Sequence, residues 1–113
     1  MDCLFCKIAK GEIPAQILYK DDLVAAFDDI NPQAPIHKVL IPLKHIATLN
    51  DLHDEDSDLI GHMVQSAAML AKQLNIANNG YRIVLNCNAH AGQSVFHIHL
   101  HLLGGRRMQW PPG

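Results

Sequence analysis

The stretch His97-Ile98-His99-Leu100-His101-Leu102-Leu103, close to the C-terminus, alternates histidine with apolar residues. Successive side chains of a β-strand point to opposite faces of a sheet. A strand over residues 95–103 would therefore place the three imidazoles on one face, about 6.6 Å apart, and the apolar side chains on the other. The pattern predicts a half-buried strand that carries a row of histidines.

Three readings of this histidine row remain open from its spacing. Imidazole has an unperturbed pKa of about 6.5, so one ring can attack or carry a proton while its neighbours hold other protonation states. Histidines two residues apart on a strand can also share a metal ion that activates water. The third reading is a half-buried strand whose polar side happens to be histidine.

Polar groups that suit phosphoryl oxygens come just before the row. Gly92-Gln93-Ser94-Val95 offers a flexible glycine, an amide side chain, a hydroxyl and free backbone N–H groups. Asn86, at the end of the preceding predicted strand, adds a possible donor. Each of these groups would also be ordinary in a loop, so their chemical interpretation depends on the histidines beside them.

The remainder of the chain predicts an α+β fold. Hydrophobic periodicity and turn residues indicate a short helix at residues 3–10, strands at 17–20, 23–27, 37–42 and 81–87, and a long helix at about 56–77. Loops are expected at residues 31–35 and 88–94, and the last two strands are expected to pair antiparallel. We expect a single domain over residues 1–113, with residues 104–113 as a C-terminal tail.

Composition excludes several functional classes. The 113-residue chain has a net charge of −2, so we expect no general attraction to nucleic acid or anionic lipid. No apolar run approaches the roughly 18 residues of a membrane span, and the N-terminus does not look like an export signal. We therefore expect a cytoplasmic protein. Its three cysteines are an odd number, which favours reduced thiols or a metal over disulfides.

Asn86 and the run from Gly92 to Leu103 together resemble the signature of the histidine triad family. Glu12-Ile13-Pro14, the segment Asp28-Asp29-Ile30-Asn31-Pro32-Gln33-Ala34-Pro35-Ile36-His37 and the tail are similar to the Hint branch, whose members are purine nucleoside phosphoramidases. The resemblance covers the chain from about Phe5 to its end. It implies a HIT-like two-layer α+β fold with an antiparallel meander sheet, one long and one short helix, and pairing as a homodimer.

The resemblance also implies an activity, the cleavage of the P–N bond of adenosine 5′-phosphoramidates and related aminoacyl adenylates, which releases AMP. His99 would be the nucleophile and would form a nucleotidyl-histidine. His37 would lie behind His99 and orient its other ring nitrogen. The remaining residues implied in catalysis are His97, which supports the site through its backbone, His101, which contacts the phosphate, and Ser94.

The implied substrate pocket combines apolar and polar groups. An apolar slot for the purine and one carboxylate for the ribose hydroxyls are chemically reasonable for a nucleoside. Trp110 would reach the leaving-group pocket of the partner protomer. The full implied set is Phe5, Ile8, Phe27, Asp29, Ile30, Asn86, Gln93, Ser94, Val95, His99, His101 and Trp110.

A zinc site is also expected, although this chemistry requires no cofactor. Cys3-Leu4-Phe5-Cys6 spaces two thiolates as zinc sites do, and four protein ligands would make the site structural. By resemblance to zinc-containing relatives, the ligands are Cys3, Cys6, His45 and His97. The alternative is a pair of reduced cysteines on the short helix.

Two other functions compete with the phosphoramidase interpretation. A dinucleoside polyphosphate hydrolase or nucleotidyl transferase of the same superfamily would use the same chemistry at His99. A nucleotide-binding regulatory scaffold would show only incidental activity. Aminoacyl-tRNA synthetases, which make aminoacyl adenylates, are a possible source of substrate by resemblance.

Overall fold

The computed structural model describes residues 3–113 and contains five strands and three helices. Two single turns of 3₁₀-helix, Leu49–Asp51 and Asp54–Asp56, precede the long helix. In the described residues no helix is long and apolar enough to cross a membrane. The elements in chain order are α1 (Leu4–Ala9), β1 (Ile17–Lys20), β2 (Val24–Asp28), β3 (Ile36–Pro42), α2 (Ser57–Gln73), β4 (Tyr81–Leu85), α3 (Asn88–Ala91) and β5 (Leu100–Gly104).

The five strands form one antiparallel sheet in the order β1-β2-β3-β5-β4. The first three strands follow one another as a meander, and β5 lies between β3 and β4. The predicted α+β fold and the antiparallel pairing of the last two strands are thus confirmed. Because β5 lies next to β3, Val39 faces His101 across the pair and His37 faces Leu103.

The two faces of the sheet carry different clusters of side chains. Helix α2 packs against one face, where apolar residues of alternate strand positions are buried: Val24, Ala26, Leu40, Leu100 and Leu102, with Met63, Ala67, Leu70 and Ala71 from the helix. The short helix α1 covers part of the opposite face with Phe5 and Ile8, against Ala25, Phe27, Val39 and Ile41. The histidine side of β5 belongs to this second face.

The strand predicted for residues 95–103 is wrong in its first half, since β5 begins only at Leu100. The Ile98 N–H donates to the Ile46 carbonyl (2.7 Å) and not to a neighbouring strand, so the ladder starts later. The side chains still alternate between the two faces of the sheet, because Ile98 is buried with Leu100 on the face that packs against α2. His97 and His99 therefore occupy an irregular segment that leads into the strand.

Other boundaries differ by a few residues. Residues 88–91, predicted as loop, form the single-turn helix α3. The long helix ends at Gln73, earlier than predicted, because Asn75 takes a positive φ of 61° that a helix cannot continue through. Gly104 is the last residue of β5, so the segment after the sheet begins at Gly105.

Gly104 is packed so closely that we expect Gly104→Ala to destabilise the fold by about 1–2 kcal/mol. A Cβ there would lie 2.6 Å from Ile76 Cδ1 and 3.1 Å from Ile76 Cβ, so the whole Ile76 side chain would have to move. The control is Gly61→Ala on α2, where nothing lies within 4 Å, and this change should stabilise by up to about 1 kcal/mol. Urea unfolding measures both changes. A neutral Gly104→Ala would contradict the packing argument.

Candidate active site

The histidines of the second sheet face open into a cavity of about 530 Å³. Its wall is built by α1, the segment after α1, the end of β2, the middle of β3, the segment before β5 and β5 itself. The residues that line it are Leu4, Phe5, Ile8, Ile13, Pro14, Ala15, Gln16, Phe27, Asp28, Asp29, Ile30, Val39, Ser94, Val95, His99 and His101. A separate cavity of about 650 Å³, beside residues 105–108, contains none of the histidines.

His99 is held by its own backbone segment. Its Nδ1 lies 2.8 Å from the His97 carbonyl oxygen, which can only accept, so Nδ1 carries a proton. In the neutral ring Nε2 then has a free lone pair. Phe5 packs edge-on against the ring at a centroid distance of 5.0 Å, and His99 is only 7% exposed. This arrangement fixes the ring and leaves Nε2 available as a nucleophile or base.

His37 and His101 form a hydrogen-bonded pair whose tautomers are also determined. The backbone N–H of Gln33 donates to His37 Nδ1 (3.0 Å), so this nitrogen is unprotonated and His37 Nε2 carries the proton. His37 Nε2 lies 2.9 Å from His101 Nδ1 and donates to it. His101 therefore carries its own proton on Nε2. A hydrogen-bond donor at His101 consequently stands beside a nucleophilic nitrogen at His99.

The expected place of His37 behind His99 is wrong, because His37 contacts His101. The strand register explains the difference. His37 faces Leu103, so it lies diagonally next to His101 on the same face of the sheet, whereas His99 precedes β5. The group that orients the second nitrogen of His99 is the His97 carbonyl. The role of His97 in catalysis, which the resemblance implies, stays a prediction.

Burial keeps the paired imidazoles neutral. Desolvation is the largest cause that lowers the pKa of His101 to about 4, and its neighbours His99 and His37 act in the same direction, while Asp29 opposes the shift. Desolvation also lowers the pKa of His37, again against Asp29. Both rings are therefore uncharged at neutral pH, as their tautomers require.

Asp29 lies at the edge of this pair. Its Oδ1 accepts the Asn31 N–H at 2.8 Å, and its Oδ2 is 3.4 Å from His37 Nε2 and 3.7 Å from His101 Nδ1. These three side chains are close enough to suggest a metal. However, His37 Nε2 carries a proton and His101 Nδ1 accepts it, so the nitrogens that face Asp29 are already in use. The cluster is better described as a hydrogen-bonded network.

The implied nucleoside slot is largely assembled. Phe5, Ile8 and Phe27 are buried and line the cavity with Val39, and the two phenyl rings meet edge-on at 5.6 Å. Ile30 also lines the cavity, but it is fully exposed in this chain. Apolar walls with the carboxylate of Asp29 beside them can accept an aromatic base and a sugar.

The segment before β5 places Ser94 and Val95 at the cavity, as expected, but not Gln93. The buried Gln93 side chain donates to the Ala47 and Val95 carbonyls (2.8 and 3.1 Å) and accepts the Asn88 N–H. It braces the loop, so the prediction that Gln93 completes the polar pocket is wrong. Asn86 and Trp110 also lie outside the cavity lining in this chain.

A second cluster lies behind His99. Cys3, Cys6, His45 and His97 each offer one ligand atom, and these atoms all lie within 4.8 Å of one another. The His97 Nε2–H donates to the Pro42 carbonyl at 2.7 Å, which leaves Nδ1 unprotonated beside Cys3 Sγ and His45 Nδ1 (3.4 and 3.2 Å). Two thiols, two imidazoles and an outer hydrogen bond that fixes a tautomer suit a tetrahedral metal ion.

Residues 2–110 match the protein family described as scavenger mRNA decapping enzyme C-term binding. The chain is also 50% identical over 112 residues to an uncharacterized HIT-like protein of Synechocystis, covering 99% of this chain and 97% of that protein. The chain belongs to the histidine triad (HIT) family. The resemblance seen in its sequence is thereby confirmed.

Two further HIT relatives extend the comparison. A purine nucleoside phosphoramidase of Escherichia coli (strain K12) is 51% identical over 105 residues, covering 93% of this chain and 88% of that protein. The crystal structure of a HIT family hydrolase from Legionella pneumophila has a TM-score of 0.97 at 55% identity, covering 99% of this chain and 100% of that chain. The HIT fold of the chain is therefore established.

Several residues of this HIT site were not found from the sequence. Ile13, Pro14 and Gln16, in the segment after α1, line the cavity. Val39 could have been found, since it lies two residues after His37 on the same face of a predicted strand. The Gln33 N–H could not, because a backbone donor leaves no mark on the residue type.

Replacing His101 with glutamine should reduce the loss of stability on acidification. The pKa of His101 is about 4 in the folded protein and about 6.5 in an unfolded chain. The neutral ring thus contributes stability above about pH 6.5 that is lost as the pH falls toward 4. Between pH 7 and about pH 4.5, the wild type should lose about 2 kcal/mol more than His101→Gln. Urea unfolding at both pH values tests this, and equal losses would contradict the pKa assignment.

Proposed function

We propose that the protein is a purine nucleoside phosphoramidase, a hydrolase that cleaves the P–N bond of adenosine 5′-phosphoramidates and related aminoacyl adenylates. One observation carries the proposal. The free Nε2 lone pair of His99 and the Nε2–H of His101 lie side by side in a cavity with apolar walls. The Escherichia coli relative with this activity supports the same conclusion.

In the first step, His99 Nε2 attacks the α-phosphorus. The Nε2–P bond forms, the P–N bond breaks with its electron pair on the leaving nitrogen, and the amine departs after taking a proton from solvent. The Ser94 hydroxyl and the neutral His101 Nε2–H keep their protons and can donate hydrogen bonds to the leaving nitrogen and to the phosphate oxygens. The backbone N–H groups of Ser94 and Val95, held by Gln93, are suited to the phosphate oxygens.

Water completes the cycle in the second step. Its oxygen bonds to phosphorus, the Nε2–P bond breaks, and His99 and AMP are released. The proton lost by water goes to solvent and balances the proton that the amine took in the first step. The His97 carbonyl holds the Nδ1 proton of His99 throughout, which stabilises the positive charge that develops on the ring after attack.

Substrate selection would follow from the cavity walls. Phe5, Ile8, Phe27 and Val39 suit a purine ring. Asp29 Oδ2 is the carboxylate oxygen left for ribose hydroxyls, since Oδ1 accepts the Asn31 amide. Ile30, exposed on the rim, would close over the bound base. A nucleotide is thus held at its base, ribose and phosphate, while the leaving amine faces outward.

We expect His99→Gly to fold but to lose turnover of an AMP-lysine phosphoramidate by roughly 10³-fold or more, because the covalent step has no other nucleophile. His90→Gly removes an exposed histidine of α3 outside the cavity and serves as the matched control. Steady-state assays compare the three proteins.

Trapping tests the covalent step directly. Wild-type enzyme that is denatured mid-reaction should carry AMP on His99 when it is digested and analysed by mass spectrometry. Absence of the adduct during active turnover would overturn the covalent mechanism. Diadenosine polyphosphates assayed in parallel distinguish a phosphoramidase from a hydrolase of dinucleotides, and equal turnover in wild type and His99→Gly would indicate a binding scaffold.

The Cys3, Cys6, His45 and His97 cluster fits a structural zinc ion. Bound there, zinc would tie α1 to the segments around His45 and His97, and four protein ligands would leave no position for substrate. His97 would hold the ion through Nδ1 while its carbonyl orients His99. The ion would therefore support the active site from behind.

Elemental analysis of protein purified without chelator should find about one zinc ion per chain. Cys6→Ser should lose most of this zinc because a hydroxyl is a poor ligand. Cys87→Ser removes a thiol outside the cluster and should keep it. Wild type without stoichiometric zinc would contradict the proposal, and the His99 mechanism would survive.

A homodimer is part of the proposal. Trp110 is 83% exposed in this chain, so its large ring has no cover from its own protomer. A partner protomer would supply that cover and would place Trp110 at the leaving-group pocket. The cytoplasmic location and the link to aminoacyl-tRNA synthetases stay predictions from the sequence.

A further inference from the structure

The first residue beyond Gly105 in the tail, Arg106, reaches back to a loop that supports the active site. Its Nε and one terminal nitrogen both donate to the Gln33 carbonyl, at 3.1 and 3.0 Å. Its other terminal nitrogen donates to the Arg107 carbonyl at 3.1 Å. The planar guanidinium is therefore fixed by three hydrogen bonds, two of which converge on one oxygen.

The loop that accepts these hydrogen bonds, residues 31–35, has few backbone donors of its own. Residues 31–35 contain Pro32 and Pro35, which have no N–H to donate. Gln33 donates its side-chain amide to the Asn31 carbonyl within the same loop. A second tail contact lies at Gly105, where a Cβ would approach Pro35 Cβ to 3.0 Å and φ is +90°. The tail thus both packs against this loop and bonds to it.

Gln33 connects the tail to the histidines because its two backbone groups point in different directions. Its carbonyl accepts from Arg106, and its N–H donates to His37 Nδ1 at 3.0 Å. His37 Nε2 donates in turn to His101 Nδ1 at 2.9 Å. A continuous path of donors therefore runs from the tail to the His101 ring, which lines the cavity.

The direction of the hydrogen bonds along this path determines whether His101 Nε2 is a donor or an acceptor toward substrate. If the Gln33 N–H moved away, His37 could take its proton on Nδ1, and His37 Nε2 would become an acceptor. His101 would then have to donate from Nδ1, and its Nε2 would present a lone pair to the phosphate. A donor that attracts phosphoryl oxygens would become an acceptor that repels them.

We infer that Arg106 is a positioning residue: by fixing Gln33, it sets the tautomers of His37 and His101 and keeps a proton on His101 Nε2. The role of this proton in turnover rests on the phosphoramidase function proposed above, whereas the tautomer effect does not. Arg106 touches neither substrate nor the reacting atoms. Its contribution requires the planar fork of the guanidinium, and positive charge alone is insufficient.

The test compares Arg106→Met, Arg106→Lys and the matched control Arg107→Met. Arg107 is the exposed neighbour in the tail, and its replacement removes the same charge without removing the Gln33 contacts. The ¹⁵N spectra of the histidine side chains report which ring nitrogen is protonated. Steady-state kinetics on an AMP-lysine phosphoramidate and AMP binding report the functional effect.

In wild type and Arg107→Met, His37 and His101 should be protonated on Nε2. In Arg106→Met, the Nδ1-protonated form should appear at both rings, kcat should fall roughly 10-fold, and AMP affinity should fall as well, because His101 no longer donates to the phosphate. Arg106→Lys keeps the charge but loses the fork, so it should restore only part of kcat.

Unchanged tautomers in Arg106→Met would overturn the inference whether or not kcat falls. Full restoration by Arg106→Lys, or an equal effect in Arg107→Met, would also overturn it, since charge would then be sufficient. A wild-type protein that does not hydrolyse phosphoramidates would defeat the proposed function alone, because the tautomers are measured without substrate.

Discussion

The antiparallel pairing of β3 with β5 is the constraint on which the site depends. It places His37 diagonally next to His101, although 64 residues separate them along the chain, and brings their ring nitrogens to 2.9 Å. The same register sets Val39 opposite His101, so an apolar wall adjoins the polar pair. On the opposite face, Leu40, Leu100 and Leu102 anchor the two strands against α2. A slip of one residue would turn the histidines toward α2 and the leucines toward the cavity.

His97 links the cluster of Cys3, Cys6 and His45 to His99. Its side chain belongs to the cluster of two cysteines and two histidines, and its carbonyl accepts the Nδ1 proton of His99. It is completely buried, and burial lowers its pKa, so the ring stays neutral and can bind a metal through Nδ1. Support of the proposed nucleophile therefore comes from the backbone of a residue whose side chain is held from behind.

Desolvation lowers the pKa values of buried histidines at the site and so keeps these rings neutral. Three exposed imidazoles would exchange protons and tautomers freely near neutral pH. Here the pKa values of His37, His97 and His101 are lowered mainly by burial, so their hydrogen bonds can set fixed directions. The three rings of the row have different partners. His99 donates to the His97 carbonyl, His101 accepts from His37, and His97 lies beside the cysteines. Equal residues thus acquire different chemical roles through different hydrogen-bond partners.

The sequence by itself determined the five strands, helices α1 and α2, the α+β fold and the family, and through the family resemblance nine of the sixteen residues that line the cavity. These follow from local patterns: alternation at residues 97–103, helical periodicity at residues 57–73 and the signature around the histidines. Helix α2, β1 and β3 lie within a few residues of their predicted bounds. The four cluster residues were also predicted: the spacing of Cys3 and Cys6 is visible in the sequence, and the family resemblance implied His45 and His97.

Only the tertiary structure decided which groups touch. The pairing of β3 with β5 makes His101 the partner of His37, whereas the sequence interpretation had placed His37 behind His99. Gln93 appeared to be a pocket residue because an amide side chain suits a phosphate, yet burial directs its hydrogen bonds to the loop backbone. The start of β5 at Leu100 and the contact of Arg106 with Gln33 likewise depend on backbone groups. Every residue except proline carries the same N–H and C=O groups, so residue types cannot reveal which of them will meet.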